Sequence, residues 1–242
     1  MKFLIDTFRI YKKNLSMILF FSIPFIISLV AQLLAPAPIY LALGGYFLRT
    51  GSLPKITLSD ILVIFLTSAI SLFFLCLALA SITLVVKATK TRTKISSEVL
   101  EDIGLYTFAI FAVFLAVKII EMLIILLSIQ IKIDETLALI CSFILSLGLF
   151  YTAPGIVLEE KRPIRAFFES YVQIARKPLH FVFWLVFAFV LLSLVTFIIY
   201  QLVSEAIVRQ ILVLLINSLF IAPILIILQA QIYLMKYTII ER

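Results

Sequence analysis

A single histidine and two cysteines are all the imidazole and thiol this 242-residue chain holds, and charged residues make up only 14% of it. His180 opens an apolar run, while Cys76 and Cys141 lie inside two others. Thiols placed there behave as small hydrophobes, so their number excludes a disulfide framework and, with one imidazole, a protein zinc site. The chain also lacks HExxH, GxSxG and any glycine loop able to cradle a phosphate. The expectation is a protein that is not an enzyme and needs no metal or cofactor.

Apolar residues fill the space that charge leaves, at 64% of the sequence. Soluble domains hold about 45–50%, and a soluble fold could not hide this excess, so lipid must solvate most of it. The apolar residues fall into six runs: 15–35 (with Pro24 inside it), 61–86, 103–129, 137–158, 181–203 and 211–235. About 20 helical residues cross a hydrocarbon core, and no ten-residue alternating segments suggest a barrel of strands. The predicted fold class is all-α: a single polytopic membrane domain over residues 1–242 with six transmembrane helices. The first run precedes Ala35-Pro36-Ala37, which resembles a cleavage site, but it is too long for a signal-peptide core and reads as an uncleaved span.

Basic residues alternate with these runs. Lys2, Arg9, Lys12 and Lys13 precede the first; Lys87, Lys90, Arg92 and Lys94 follow the second; Lys161, Arg162, Arg165, Arg176 and Lys177 follow the fourth. The other connections carry Arg49, Lys55, Lys132 and Arg209. The positive-inside bias places Lys90, Lys161 and both termini in the cytoplasm, and Arg49 and Lys132 outside a cell membrane. The net charge of +7 sits in the cytoplasmic loops, so anionic headgroups are its expected partner and nucleic acid is not.

The basic clusters are amphipathic. Ile164, Phe167, Phe168, Tyr171 and Ile174 recur at helical spacing against Arg165, Glu169, Gln173, Arg176 and Lys177; residues 2–14 repeat the pattern, and 92–103 repeat it more weakly. Such helices lie in the membrane interface. The unit of interfacial helix, span, outer loop and span thus recurs over approximately 1–86, 87–160 and 161–242. Three such hairpins predict a pseudo-threefold ring of six helices around a central cavity. Segment 36–60, rich in glycine and proline, is either a connector on the headgroups or a re-entrant loop.

The segments APGIVLEEKRPIRAFFESYVQIARKP and FIAPILIILQAQIYLMKY carry a family likeness. They resemble the membrane domain attached to some glycerophosphoryl diester phosphodiesterases and its stand-alone bacterial and archaeal relatives. Pro154, Glu159, Ala166, Ser170, Pro223 and Tyr233 stand at the positions the family pattern marks, with Tyr171 after Ser170 where a tryptophan is usual. The resemblance implies a helical membrane fold. It implies no catalysis, because in the fused proteins the phosphodiesterase site belongs to a separate soluble domain.

Two charges stand inside a span. Lys118 and Glu121, three apart, share one helix face near the middle of 103–129. Each costs roughly 2.5–3.5 kcal/mol at the bilayer centre, so three roles stay open: an ion pair that locks packing, a proton or solute path, or a headgroup contact. Pro154 and Pro223 each follow an alanine and either kink their helices or expose a carbonyl to a cavity. Lys118, Glu121, Pro154, Glu159, Ser170, Pro223 and Tyr233 are the candidate ligand residues. The expected function is a non-catalytic cavity that binds, and passes, lipid or a small solute. The alternative is a membrane scaffold or regulatory protein that recruits partners through its basic helices.

Overall fold

The computed structural model describes residues 2–34, 58–91, 97–131 and 135–235, and every element among them is helical. In chain order these are α1 (Lys2–Lys13), α2 (Leu15–Leu34), α3 (Leu58–Thr91), α4 (Ser97–Ile131), α5 (Glu135–Phe150) and α6 (Thr152–Glu159). They continue with α7 (Pro163–Arg176), α8 (Pro178–Leu202), α9 (Ala206–Ile216), a π turn (Asn217–Ile221) and α10 (Ala222–Leu234). Arg49, Lys55, Lys132 and most of segment 36–60 lie outside the described residues.

Five stretches are long and apolar enough to cross a membrane: Phe65–Thr91, Asp102–Ile124, Thr136–Glu159, Pro178–Leu202 and Ala206–Leu234. A sixth is added if α1 and α2, bent by 92°, count together. The chain is therefore an all-helical protein of multi-pass membrane character. Helix outruns the apolar sequence at several ends. The 34 residues of α3 extend roughly 51 Å at about 1.5 Å per residue, against a core of about 30 Å.

Two of the three amphipathic segments are separate helices, α1 and α7. The third, expected over 92–103, differs. From Ser97 onward it is the first turns of α4, continuous to Ile131. Glu98, Glu101 and Asp102 favour a helix start there, and neither proline nor glycine interrupts it before Gly104.

The chain ends its helices alternately at one charged end and at an opposite end. Asn14 Nδ2, at the α1–α2 corner, donates to Thr89 Oγ1 of α3 at 3.1 Å, and Lys177 Nζ donates to the Met235 carbonyl after α10 at 3.0 Å. On this side α3, α6 and α10 touch one another. Ala78, Ile82, Val85, Ala153, Ile156, Val157, Ile227 and Ala230 are buried there. Outside this triangle α2 packs on α3 and the π turn, α4 on α3 and α5, and α8 on α9 and α10. The amphipathic helices dock on the bundle, α1 on α10 and α7 on α6. Toward the opposite end, Phe65, Leu66, Leu139, Ile140, Phe143, Phe197 and Leu202 stay exposed. Lipid makes such a surface stable.

Candidate functional site

A cleft of ≈ 320 Å³, open on one side, borders the packed triangle at Ala153. Its walls come from Phe25 of α2, Leu75 and Leu79 of α3, Phe114 of α4, Ser146 to Ala153 across α5 and α6, Trp184 of α8, and Ala222 to Gln229 of α10. The polar groups among them are already engaged. Ser146 Oγ donates to the Phe143 carbonyl at 2.7 Å and Trp184 Nε1 to the Leu225 carbonyl at 2.9 Å, while the Gln229 amide donates to the Phe150 carbonyl. What remains facing the space is hydrocarbon.

Proline explains the Gln229 bond. Pro154 has no N–H, so the carbonyl four residues back, Phe150, loses its helical partner, and Gln229 replaces it across the helix interface. Ser170 mends the next rung. Its Oγ accepts from the Tyr151 N–H at 3.0 Å and donates to the Leu147 carbonyl at 2.9 Å, so a hydroxyl from α7 stands inside the backbone ladder between α5 and α6. Tyr151 takes φ −100° and ψ 8° at this break. Pro223 acts alike one hairpin later: it frees the Leu219 carbonyl, which accepts from the Tyr11 hydroxyl of α1 at 3.4 Å.

Pro154, Ser170 and Tyr233 are thus brought together. The Tyr151 and Tyr233 rings lie 5.6 Å apart, and a Cβ on Gly155 would stand 3.1 Å from the Ala166 Cβ and 3.4 Å from the Tyr233 hydroxyl. Gly148 serves the same close approach on α5, since a Cβ there would run into the Phe167 ring. Pro223 sits in α10, separated from this cluster along the helix.

Glu159 belongs to a charged elbow between α6 and α7. Lys161 pairs with both Glu159 and Glu169, and Arg165 Nε donates to Glu169 at 2.9 Å. Partial burial works against the Lys161 ammonium, but its hydrogen bonds to Glu159 and Glu169 outweigh that and raise its pKa. Burial likewise opposes the Glu169 carboxylate, and the bonds from Lys161 and Arg165 still hold its pKa down. Glu160 takes a left-handed conformation at φ 53° as it ends α6, and Lys87 Nζ donates to it at 2.7 Å. That hydrogen bond and charge hold the Glu160 carboxyl below the ordinary range. Tyr106 of α4 joins them, accepting from Lys87 at 3.3 Å, so the elbow ties α3, α4, α6 and α7.

Lys118 and Glu121 do pair, Nζ to Oε2 at 3.4 Å, but neither lines this space. Lys118 lines a separate groove of ≈ 270 Å³ between α3 and α4, with its side chain 63% exposed; Glu121 is at 15%. A long lysine stem lets the ammonium reach away from the helix packing, which mid-span position alone does not show.

Phe25, Trp184, Ala222 and Gln229 were not among the sequence candidates, nor was the Lys87–Glu160 pair. The only signal for Gln229 was Pro154 itself: a lost N–H four residues after Phe150 requires a donor from elsewhere. Among the described residues no cluster of three His, Cys, Asp or Glu side chains could hold a metal ion. Set against protein-family models, curated proteins and solved structures, the chain matches none, so the likeness to the phosphodiesterase membrane domain rests on the residues quoted for it.

Proposed function

We propose that this protein is a non-catalytic membrane protein that takes the hydrocarbon chain of a lipid into its central cavity. One observation carries the reading: a single ≈ 320 Å³ space is walled by α2, α3, α4, α5–α6, α8 and α10 together, and its polar lining groups are spent on backbone carbonyls. A polar solute entering it would trade water for a mostly apolar lining with few free acceptors, a cost of some kcal/mol for each unpaired polar group, whereas a methylene gains about 0.8 kcal/mol. In this reading six spans form three hairpins around the cavity, α1 on α10 repeats α7 on α6, and the charged end faces the cytoplasm.

The alternative, a scaffold, draws on the same interfacial helices. Along α7 the exposed residues Ile164, Phe168 and Val172 form one stripe, flanked by exposed Arg165 and Arg176. That combination fits an interface of anionic lipid as it stands. It anchors the elbow beside the cavity and needs no recruited protein.

Trp184, the chain's one tryptophan, lines the cavity and supplies the test. A brominated fatty acid added to delipidated protein in detergent should quench its fluorescence saturably. Ala222→Phe, which fills the cavity, should weaken that binding by about tenfold, the equivalent of roughly 1.4 kcal/mol. Quenching that rises linearly and ignores Ala222→Phe would remove the cavity from the function.

A further inference from the structure

The groove between α3 and α4 shares a wall with the central cavity. Leu72 lines the groove, Leu79 lines the cavity, and Leu75, between them on the same face of α3, lines both. On α4, Leu115 faces the groove and its neighbour Phe114 the cavity. A lipid chain in the groove therefore lies one leucine side chain from the central space.

The groove differs from the cavity in carrying a cation. Lys118 lies about 24 Å along α4 from Asp102 at about 1.5 Å per residue, in the far third of the Asp102–Ile124 stretch. An ammonium has three donors, and Glu121 Oε2 accepts from Lys118 at 3.4 Å, leaving capacity for a second acceptor. Around it stand Phe65, Leu72, Leu115, Ile119 and Met122. At ≈ 270 Å³ the slot is smaller than the roughly 300–1,000 Å³ of drug-sized pockets, so it suits one chain of a lipid and not the whole molecule.

From the shared Leu75 wall and the Lys118 ammonium, we propose that the α3–α4 groove is a lateral portal seating one anionic phospholipid, its phosphate on Lys118 and one acyl chain against Leu75. The occupant is a phospholipid of the leaflet at the opposite end, because an acidic headgroup attached to hydrocarbon suits both the ammonium's remaining donors and the apolar slot. A phosphate oxygen makes a charge-assisted bond to the ammonium, while Glu121 repels it. The proposal rests on the cavity reading and names its route of supply.

The test uses the full chain in nanodiscs of phosphatidylcholine containing a photoactivatable phosphatidylglycerol, its reactive group midway along one chain. Crosslinks are expected at Leu72 or Leu115, and in a smaller share at Phe25 or Ala222. Lys118→Gln should lower groove crosslinking about tenfold, Lys118→Arg should retain it, and Glu121→Gln should raise it about two- to threefold. A photoactivatable phosphatidylcholine should label the groove no better in wild type than in Lys118→Gln. Central crosslinks without groove crosslinks, unchanged by Lys118→Gln, would overturn the portal and leave the cavity reading standing. Groove crosslinks that follow Lys118, with none in the centre, would support the site and overturn the cavity reading. Labelling spread evenly over lipid-facing Phe189 and Phe197 would overturn both.

Discussion

The two halves of this bundle are held by different physics. At the charged end, buried small and branched residues of α3, α6 and α10 interlock, and every break in the α5–α6 ladder is covered by a named side chain. Beyond Ala153 and Gln229 the helices leave a cleft and a groove between them. In lipid, apolar contact alone gives neighbouring helices little reason to associate, so close approach and interhelical hydrogen bonds decide where they hold together. Ser28 and Ser71 still join α2 to α3 farther along, so the difference lies in the room left between the helices.

Substitutions should therefore separate the halves. The largest effect is expected at Gly155, where any Cβ meets Ala166 and Tyr233. Gly155→Val should cost about 3 kcal/mol, the upper part of the overpacking range, seen as a large fall in melting temperature in detergent. A fall no larger than that of Ala222→Phe in the cavity would mean the two halves are equally loose.

Ser170→Ala comes next, since it leaves the buried Tyr151 N–H and Leu147 carbonyl without the hydroxyl, at about 1–3 kcal/mol. Ser146→Ala, on the cavity side, removes a hydroxyl bonded only within its own helix and should cost under about 1 kcal/mol. Equal losses would break the distinction.

The elbow should respond to pH. Glu160 and Glu169 have folded pKa values below their unfolded ones, about 4.3 for a glutamate, so the stability they contribute is present above that value and is lost as pH falls through the lower folded value. Lys161 is raised, so its contribution persists at neutral pH and is lost only as pH climbs beyond about 10.4. Removing both carboxylates, Glu160→Gln with Glu169→Gln, should lower the melting temperature at pH 7, and the deficit should shrink toward pH 3. A constant deficit would assign it to shape and not to charge. The effect is modest because the groups are partly exposed.

Smallest of all should be Lys118→Met, within about 1 kcal/mol, because the Lys118 side chain is 63% exposed. A marked destabilisation, rescued by making Glu121 apolar as well, would turn the pair into a packing lock.

How much of this could be read from the residues varies with the kind of force involved. The spans were legible because hydrophobic runs of span length have one stable home, and α1 and α7 because basic and apolar residues alternate at helical period. The weaker pattern at 92–103 misled, since a helix start beside a span can merge with it, as α4 does from Ser97. Pro154 and Ser170 could be singled out, but their connection could not: it depends on α7 folding back so that Ser170 reaches Leu147, 23 residues away. The cavity was least legible. Phe25, Trp184 and Ala222 are ordinary membrane-helix residues, and only their convergence makes a wall. Lys118 was conspicuous for its charge, yet its direction depended on which neighbours α4 acquired.

The central claim is that a hydrocarbon chain, and not water or collapsed side chains, fills the space shared by α2, α3, α4, α5–α6, α8 and α10. An experimentally determined density map of the protein in lipid nanodiscs tests it most directly. The account predicts an elongated, unbranched density among Phe25, Leu75, Ala153 and Ala222 that disappears in Ala222→Phe. A map in which those side chains meet with no space between them, or enclose only discrete water-sized peaks, would contradict it.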